Sequence, residues 1–109
     1  MAKGTGMKVP DMRTFTEVDR LIHEPARLML VSLLYAVEKV DFLYLLTESG
    51  LTKGNLSSHL SKLEEAGYVE IEKTYRGKVP QTLVSLTEKG RQAVDAYRKY
   101  LKAVVDHLS

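Results

Sequence analysis

The segment Leu51–Val69, LTKGNLSSHLSKLEEAGYV, combines a clear helical pattern with an unusual surface. Thr52 offers a hydroxyl to cap the first turn, and Gly67 suits the left-handed conformation in which many helices end. Between them, three leucines recur at helical spacing and therefore share one narrow face: Leu56, Leu60 and Leu63. The pattern predicts a helix over residues 52–66 whose leucine face is buried.

The face opposite the leucines is short and polar. It holds mostly poor helix formers, at positions where Glu, Lys, Gln or Ala would favour the helix more. It comprises Gly54, Asn55, Ser58, Ser61, Lys62 and Glu65, with Ser57 and His59 at its flanks. Small side chains let a backbone come close to a partner, while Asn, Ser and Lys can bond base edges or phosphates. The pattern favours a binding surface over a plain solvated face.

Two helices are predicted directly before this one. Pro25 suits the first turn of a helix because its missing N–H costs nothing there, and apolar residues at helical spacing predict a helix over about residues 24–38. Asp41 can cap a second helix, FLYLLTES, which ends at Gly50. The short segment Ser49–Leu51 is therefore a tight glycine turn between two helices.

Beyond Gly67 the apolar period changes from that of a helix to that of a strand. YVEIEKTY (68–75) and TLVSLT (82–87) each predict a strand. The intervening RGKVPQ predicts their connection, in which Gly77 supplies turn geometry and Pro80 is tolerated near the edge of a ribbon. The segment is therefore a β-hairpin.

A long helix follows, over about residues 87–108. Its apolar positions step by three and four, as the a and d positions of a heptad do: Val94, Tyr97, Leu101, Val104 and Leu108. Two heptads are too few for a free coiled coil, but they suffice for packing against the domain or against a second subunit.

Length and composition limit the class of protein. The 109 residues fit one domain, assigned to residues 15–109, after a flexible arm at residues 1–14. TFTEVDRLI (14–22) predicts a short first helix capped by Thr16. There is no cysteine, so disulfides and thiolate chemistry are excluded. The longest apolar run, LMLVSLLYAV, is too short to cross a bilayer, and a cytoplasmic location is expected.

Charge is distributed unevenly although the net charge is only +2. Residues 1–50 hold six basic and seven acidic side chains, whereas the rest hold ten and seven. KTYRGKVPQT (73–82) carries three basic residues and no acid. This is one local basic patch, of the kind that contacts nucleic acid, although alone it is more typical of a solvated loop.

No catalytic or metal site is predicted. The three histidines, His23, His59 and His107, have no metal-ligand spacing, and HExxH does not occur. Ser58 and His59 are adjacent on a helix and point about 100° apart, so they cannot easily share a proton. We expect no enzymatic activity, no cofactor and no metal.

The order of these elements resembles the winged-helix transcriptional regulators, particularly small MarR-like and ArsR-like repressors. The resemblance covers about residues 25–100. Its most specific part, LTKGNLSSHLSKLEEAGYVEIEK, looks like a recognition helix followed by the first wing strand, and VSLTEKGRQAV resembles the return strand leading into the last helix. The implied fold is mainly α with a small β-hairpin, a winged helix-turn-helix with flanking terminal helices.

The resemblance implies sequence-specific binding to double-stranded DNA by a homodimer. Helix 52–66 would lie in the major groove and the wing, 73–82, on the backbone or in the minor groove, with the seam of 87–108 forming the dimer contact. The implied DNA contacts are Thr52, Lys53, Asn55, Ser57, Ser58, Ser61, Lys62, Lys73, Arg76 and Lys78. Glu64 and Glu65 should repel phosphates and confine the contact to residues 52–62.

Two other functions remain open. The same fold can be a protein-interaction module, for which an exposed apolar patch is expected, or an RNA-binding domain, for which stacking aromatics are expected and only Tyr75 is well placed. An unknown small-molecule effector is a further possible partner. Four tyrosines could line its pocket, although core packing is the commoner role of helical aromatics: Tyr35, Tyr44, Tyr97 and Tyr100.

Overall fold

The computed structural model describes residues 18–108. Over this range the chain forms four helices and one three-stranded antiparallel sheet. The helices are α1 (Pro25–Ala36), α2 (Phe42–Ser49), α3 (Lys53–Glu65) and α4 (Glu88–Leu108). The strands are β1 (Val40–Asp41), β2 (Val69–Arg76) and β3 (Val79–Leu86). The predicted arm at residues 1–14 and the Thr16 cap lie outside the described residues, and the predicted mainly α fold with a β-hairpin is confirmed.

The predicted caps of the helix pair are present. The Asp41 carboxylate accepts a hydrogen bond from the backbone N–H of Leu43 and starts α2. Gly50 then takes a φ of 69°, which a side chain would disfavour, and so allows the short turn into α3. The Thr52 hydroxyl accepts from the N–H of Asn55 at 3.1 Å. These local interactions explain why the sequence alone identifies both helices.

The short first helix predicted over TFTEVDRLI does not extend through its described part. From residue 18 to residue 23 the chain forms turns instead. The Asp19 carboxylate accepts from the N–H groups of Leu21 and Ile22, and such local side-chain bonds compete with a continuous helix. Ile22 is nevertheless fully buried, so the apolar residues of the segment reach the core.

The hairpin differs from its prediction at the connection. Arg76 pairs with Val79, so only Gly77 and Lys78 form the turn and the rest of RGKVPQ belongs to the strands. Pro80 is tolerated inside β3 because β1 covers only residues 83 and 84 of that strand, which leaves the edge beside Pro80 open. The third strand, β1, was not predicted, because two residues carry no period.

One hydrophobic core joins the helices to the sheet. Its buried members are Ile22, Leu30, Val31, Leu34, Leu45, Leu56, Leu60, Leu63, Val69, Val84 and Tyr97. Every helix and both long strands contribute to it. The sheet and α1 therefore form the base on which α3 is held.

The start of α4 is locked to the end of α3. The Thr87 hydroxyl donates to the carbonyl of Gly67 at 2.6 Å, and the Thr87 N–H donates to the carbonyl of Tyr68 at 3.0 Å. Gly90 is buried here, and a Cβ added to it would lie 2.2 Å from the Tyr68 carbonyl oxygen. Only glycine permits this approach of α4 to the connection after α3.

Candidate nucleic-acid interface

Helix α3 is held by its leucines and presents its polar face outward. Leu56 and Leu63 are completely buried and Leu60 nearly so. The opposite residues, predicted as a short polar face, are all exposed: Gly54, Asn55, Ser58, Ser61, Lys62 and Glu65. The helical period therefore gives both faces of α3 correctly.

All ten residues predicted to contact DNA are exposed. Seven belong to α3 or its cap, and three belong to the hairpin. Thr52 has a structural task as well, because its hydroxyl accepts the bond that starts α3. The side chains of the other nine form no hydrogen bond or ion pair with any residue between 18 and 108.

An open cleft of about 860 Å³ lies between α3 and the hairpin. Its α3 side includes Lys53, Ser57 and Ser61, and its hairpin side includes Lys73 and Thr82. Since side chains alternate along a strand, Lys73 shares the face of β2 that carries the core residues Val69 and Ile71. Two exposed cations therefore face this cleft from opposite walls.

The cations of the interface differ from several elsewhere on the chain. Lys53, Lys62, Lys73, Arg76 and Lys78 have no carboxylate partner within the described range. In contrast, three other basic residues are paired with acids, namely Lys39 with Glu72, Arg98 with Asp95 and Lys102 with Asp106. No neighbouring carboxylate within the described range therefore pairs with the five cations of α3 and the hairpin. Asp41 and Glu64 are acidic members of the cleft wall.

Gln81 attaches the hairpin to the start of α2. Its side-chain amide donates to the second carboxylate oxygen of Asp41 at 2.9 Å. This bond is the main reason that the pKa of Asp41 lies below its ordinary value. The hydrogen bond from the Leu43 N–H and the nearby charge of Arg76 lower the pKa further. Asp41 therefore fixes the hairpin against the helix pair, a role that the sequence did not reveal.

A contact between α1 and α3 was also missed. Nη1 of Arg27 lies 3.1 Å from Nδ1 of His59. The Arg27 backbone N–H donates to Glu24, and this bond is the main reason that the pKa of Glu24 is lowered. Arg27 and His59 are 32 residues apart, and no periodicity links them.

The seam of α4 divides into two parts. Tyr97 is only 5% exposed, and its hydroxyl is 2.7 Å from Nδ1 of His23, so it packs within its own domain. Val94 is half-buried against the same core. Leu101 is 37% exposed and Leu108 79% exposed. The surface available to a second subunit is therefore the outer part of the predicted seam.

The four tyrosines considered for an effector pocket do not converge. Tyr97 and Tyr100 line a small cleft of about 410 Å³ with Tyr68. Tyr35 instead donates to Asp95 of α4 and lies beneath the Arg91 guanidinium, 4.9 Å from its ring. Tyr44 is exposed on α2.

The described helices are each too short or too polar to cross a membrane. Among residues 18–108, histidines and carboxylates form no group of three suited to a metal ion.

Comparison with known proteins identifies the family. Residues 26–105 match the family model of the winged helix DNA-binding domain. An uncharacterised protein of Methanocaldococcus jannaschii is 40% identical over 79 residues, which cover 72% of this chain and 85% of that protein. The structure of a transcriptional regulator homologue from Pyrococcus horikoshii is 31% identical and has a TM-score of 0.84 over 90% of this chain and 99% of that one.

A structure described as a MarR-family regulator, from Enterococcus faecalis, shares the fold at 19% identity, with a TM-score of 0.72 over 94% of this chain and 93% of that one. The fold predicted from the recognition-helix resemblance is thereby confirmed. The chain belongs to the winged-helix DNA-binding domain family and has the fold of the MarR-type transcriptional regulators.

Proposed function

We propose that this protein is a transcriptional regulator that binds specific sites in double-stranded DNA as a homodimer. Helix α3 lies in the major groove, and the hairpin contacts the phosphate backbone or the minor groove. Phosphate contacts supply most of the affinity, and base contacts from the short polar face supply the selectivity. The proposal includes no catalytic step and no cofactor.

One observation carries this proposal. The exposed residues of α3 are small and polar, and the five cations around them lack acidic partners in residues 18–108. Unpaired cations beside a thin polar helix match a partner that is itself a polyanion with a groove. The fully polar face of α3 gives less support to a protein-interaction module, which would expose apolar side chains there.

The homodimer is supported by the outer part of α4. Leu101 and Leu108 are seven residues apart and so lie on the same face of α4. Both are exposed, and a second copy would bury both. Two copies related by a two-fold axis would place their α3 helices about 34 Å apart, on successive turns of the duplex. The binding site is then expected to be roughly palindromic.

The decisive experiment is selection of bound sequences from a random duplex pool, followed by titration of the selected duplex over a salt series. We expect an enriched palindromic sequence and an affinity that falls steeply as salt rises. Single-stranded RNA is included as a competitor, because Tyr75 is 70% exposed on the hairpin and could stack on a base. No salt-dependent binding to any duplex, or preferential displacement by RNA, would refute the proposal.

A further inference from the structure

Helix α3 has two polar flanks, and only one of them faces the hairpin. Ser57 and Ser61 lie on the flank that lines the cleft. His59 follows Asn55 by one turn and precedes Lys62 by one turn, so these three side chains form a row along the other flank. Asn55 and Lys62 are exposed, and His59 is half-buried. This second flank lies beside the start of α1.

Arg27 is fixed in place where α1 meets this flank. Its backbone N–H donates to a carboxylate oxygen of Glu24 at 2.8 Å. Its Nε donates to the carbonyl of Leu21 at 2.6 Å, and its Nη1 lies 3.1 Å from Nδ1 of His59. A guanidinium carries five N–H donors, so three of them remain available after these two side-chain bonds.

The contact with Arg27 determines the tautomer of His59. Arginine can only donate, so Nδ1 of His59 must be the acceptor, and the ring proton is on Nε2. Nε2 has no partner among residues 18–108, and none of their buried polar side-chain atoms lacks one. The Nε2–H group of His59 is therefore open to solvent, oriented by Arg27 and available to an acceptor.

A helix in the major groove has a phosphate strand on each side, because the groove is bounded by both backbones. The hairpin can reach the strand on one side of α3. We propose that Arg27 and His59 bind the phosphate strand on the other side, with Nε2–H of His59 donating to a phosphate oxygen and Arg27 supplying the positive charge beside it. This inference rests on the proposed DNA-binding function and adds two residues to it.

The charge and the donor can be tested separately on the selected duplex. Arg27→Gln should weaken binding about tenfold for all sequences and lower the salt slope by about 1, because one phosphate charge is no longer neutralised. His59→Ala should weaken binding by a similar factor of about ten but leave the salt slope unchanged, because the lost donor is uncharged. His59→Gln, which retains an acceptor and a donor, should recover most of the affinity. Arg98→Gln, an exposed α4 residue, is the matched control and should bind like wild type.

In a second measurement the DNA is changed, and each protein is compared with its own binding to the unmodified duplex. Each phosphate of the selected duplex is replaced in turn by an uncharged methylphosphonate. We expect at least one phosphate, on the strand opposite that contacted by the hairpin, whose replacement weakens the wild type more than it weakens His59→Ala or Arg27→Gln, since each variant has already lost one of the two interactions. If wild type binds the duplex but no phosphate behaves in this way, and Arg27→Gln and His59→Ala bind like wild type, the inference fails while the proposed function stands. If wild type binds no duplex, both fail.

Discussion

Asn55 and Arg76 represent the two kinds of side chain on the proposed interface. Asn55→Ala should change which sequence is selected, because an amide can bond base edges, whereas Arg76→Gln should weaken all sequences alike and lower the salt slope by about 1. Sequence selection and salt titration of both variants check this. Lys102→Gln is the charge control, since Lys102 pairs with Asp106 on α4. Equal effects of Asn55→Ala on all sequences would contradict the assignment.

Tyr68 gives a prediction about pH. Burial, assisted by the hydrogen bond that its hydroxyl donates to Asp19, raises the pKa of Tyr68 from 10.0 to about 12. Because the pKa of Tyr68 is higher in the folded state than in the unfolded state, this side chain contributes its full stabilisation below pH 10.0. The contribution is lost as the pH rises from 10.0 towards 12. Tyr68→Phe should be less stable than wild type at neutral pH, and the difference should shrink above pH 10.0. Urea unfolding across this range measures it, and a difference independent of pH would contradict it.

Exposure of the site residues could be predicted from the sequence, whereas their partners could not. Helical and strand periods assign each side chain to a face, so the outward positions of Ser58 and Lys62 follow directly. The bonds of Gln81 to Asp41 and of Arg27 to His59 join residues far apart in the chain. Such bonds depend on how the elements pack, which no local pattern in one sequence records.

The small residues on the exposed face of α3 lower the stability of the helix and give it a thin polar surface. Substitution of Gly54 tests this interpretation. A Cβ added at Gly54 meets no heavy atom within 4 Å, and its backbone is helical. Gly54→Ala should therefore raise the free energy of unfolding by about 0.5 kcal/mol. If the small face lies against a groove, the same change should weaken DNA binding. Thermal unfolding and duplex titration measure the two effects. A variant that is more stable but binds DNA with unchanged affinity would contradict the interpretation that this face of α3 lies against a groove.

Near the start of α4, replacing glycine by alanine should have the opposite effect on stability. Gly90→Ala should destabilise the protein by about 2 kcal/mol, because the new methyl group would clash with the Tyr68 carbonyl and with Leu86. Chemical denaturation checks the change, with Gly54→Ala as a control for the intrinsic preference of alanine. Wild-type stability of Gly90→Ala would contradict the close contact described between α4 and the end of α3.

Elements with their own start and stop residues were predicted well. Asp41, Thr52 and Gly67 define α2 and α3 through bonds within a few residues. β1 exists only because β3 lies beside it, and the early start of β3 at Val79 depends on its pairing with Arg76. Partner strands, rather than local composition, decide such boundaries.

The proposed dimer depends on the exposed leucines of α4. Leu101→Glu combined with Leu108→Glu should leave the fold intact, because both side chains are exposed, and should abolish the proposed dimer through charge repulsion. Sedimentation should then report a monomer. Affinity for a duplex with two half-sites should fall about a hundredfold, and affinity for a single half-site should not change. Lys102→Glu is the control for added negative charge on α4. A wild type that is already monomeric at micromolar concentration would refute the dimer.

The rigid junction of Thr87 and Gly90 with the end of α3 has a consequence for which DNA spacings are accepted. With 21 residues, α4 is about 31 Å long, and its exposed leucines lie at the far end. If those ends were held in a dimer, a tilt of roughly 10° at the junction would swing each α3 by about 5 Å, which exceeds the ~3.4 Å rise of one base pair. A stiff junction prevents that swing. The protein should therefore reject sites whose halves are one base pair too close or too far apart.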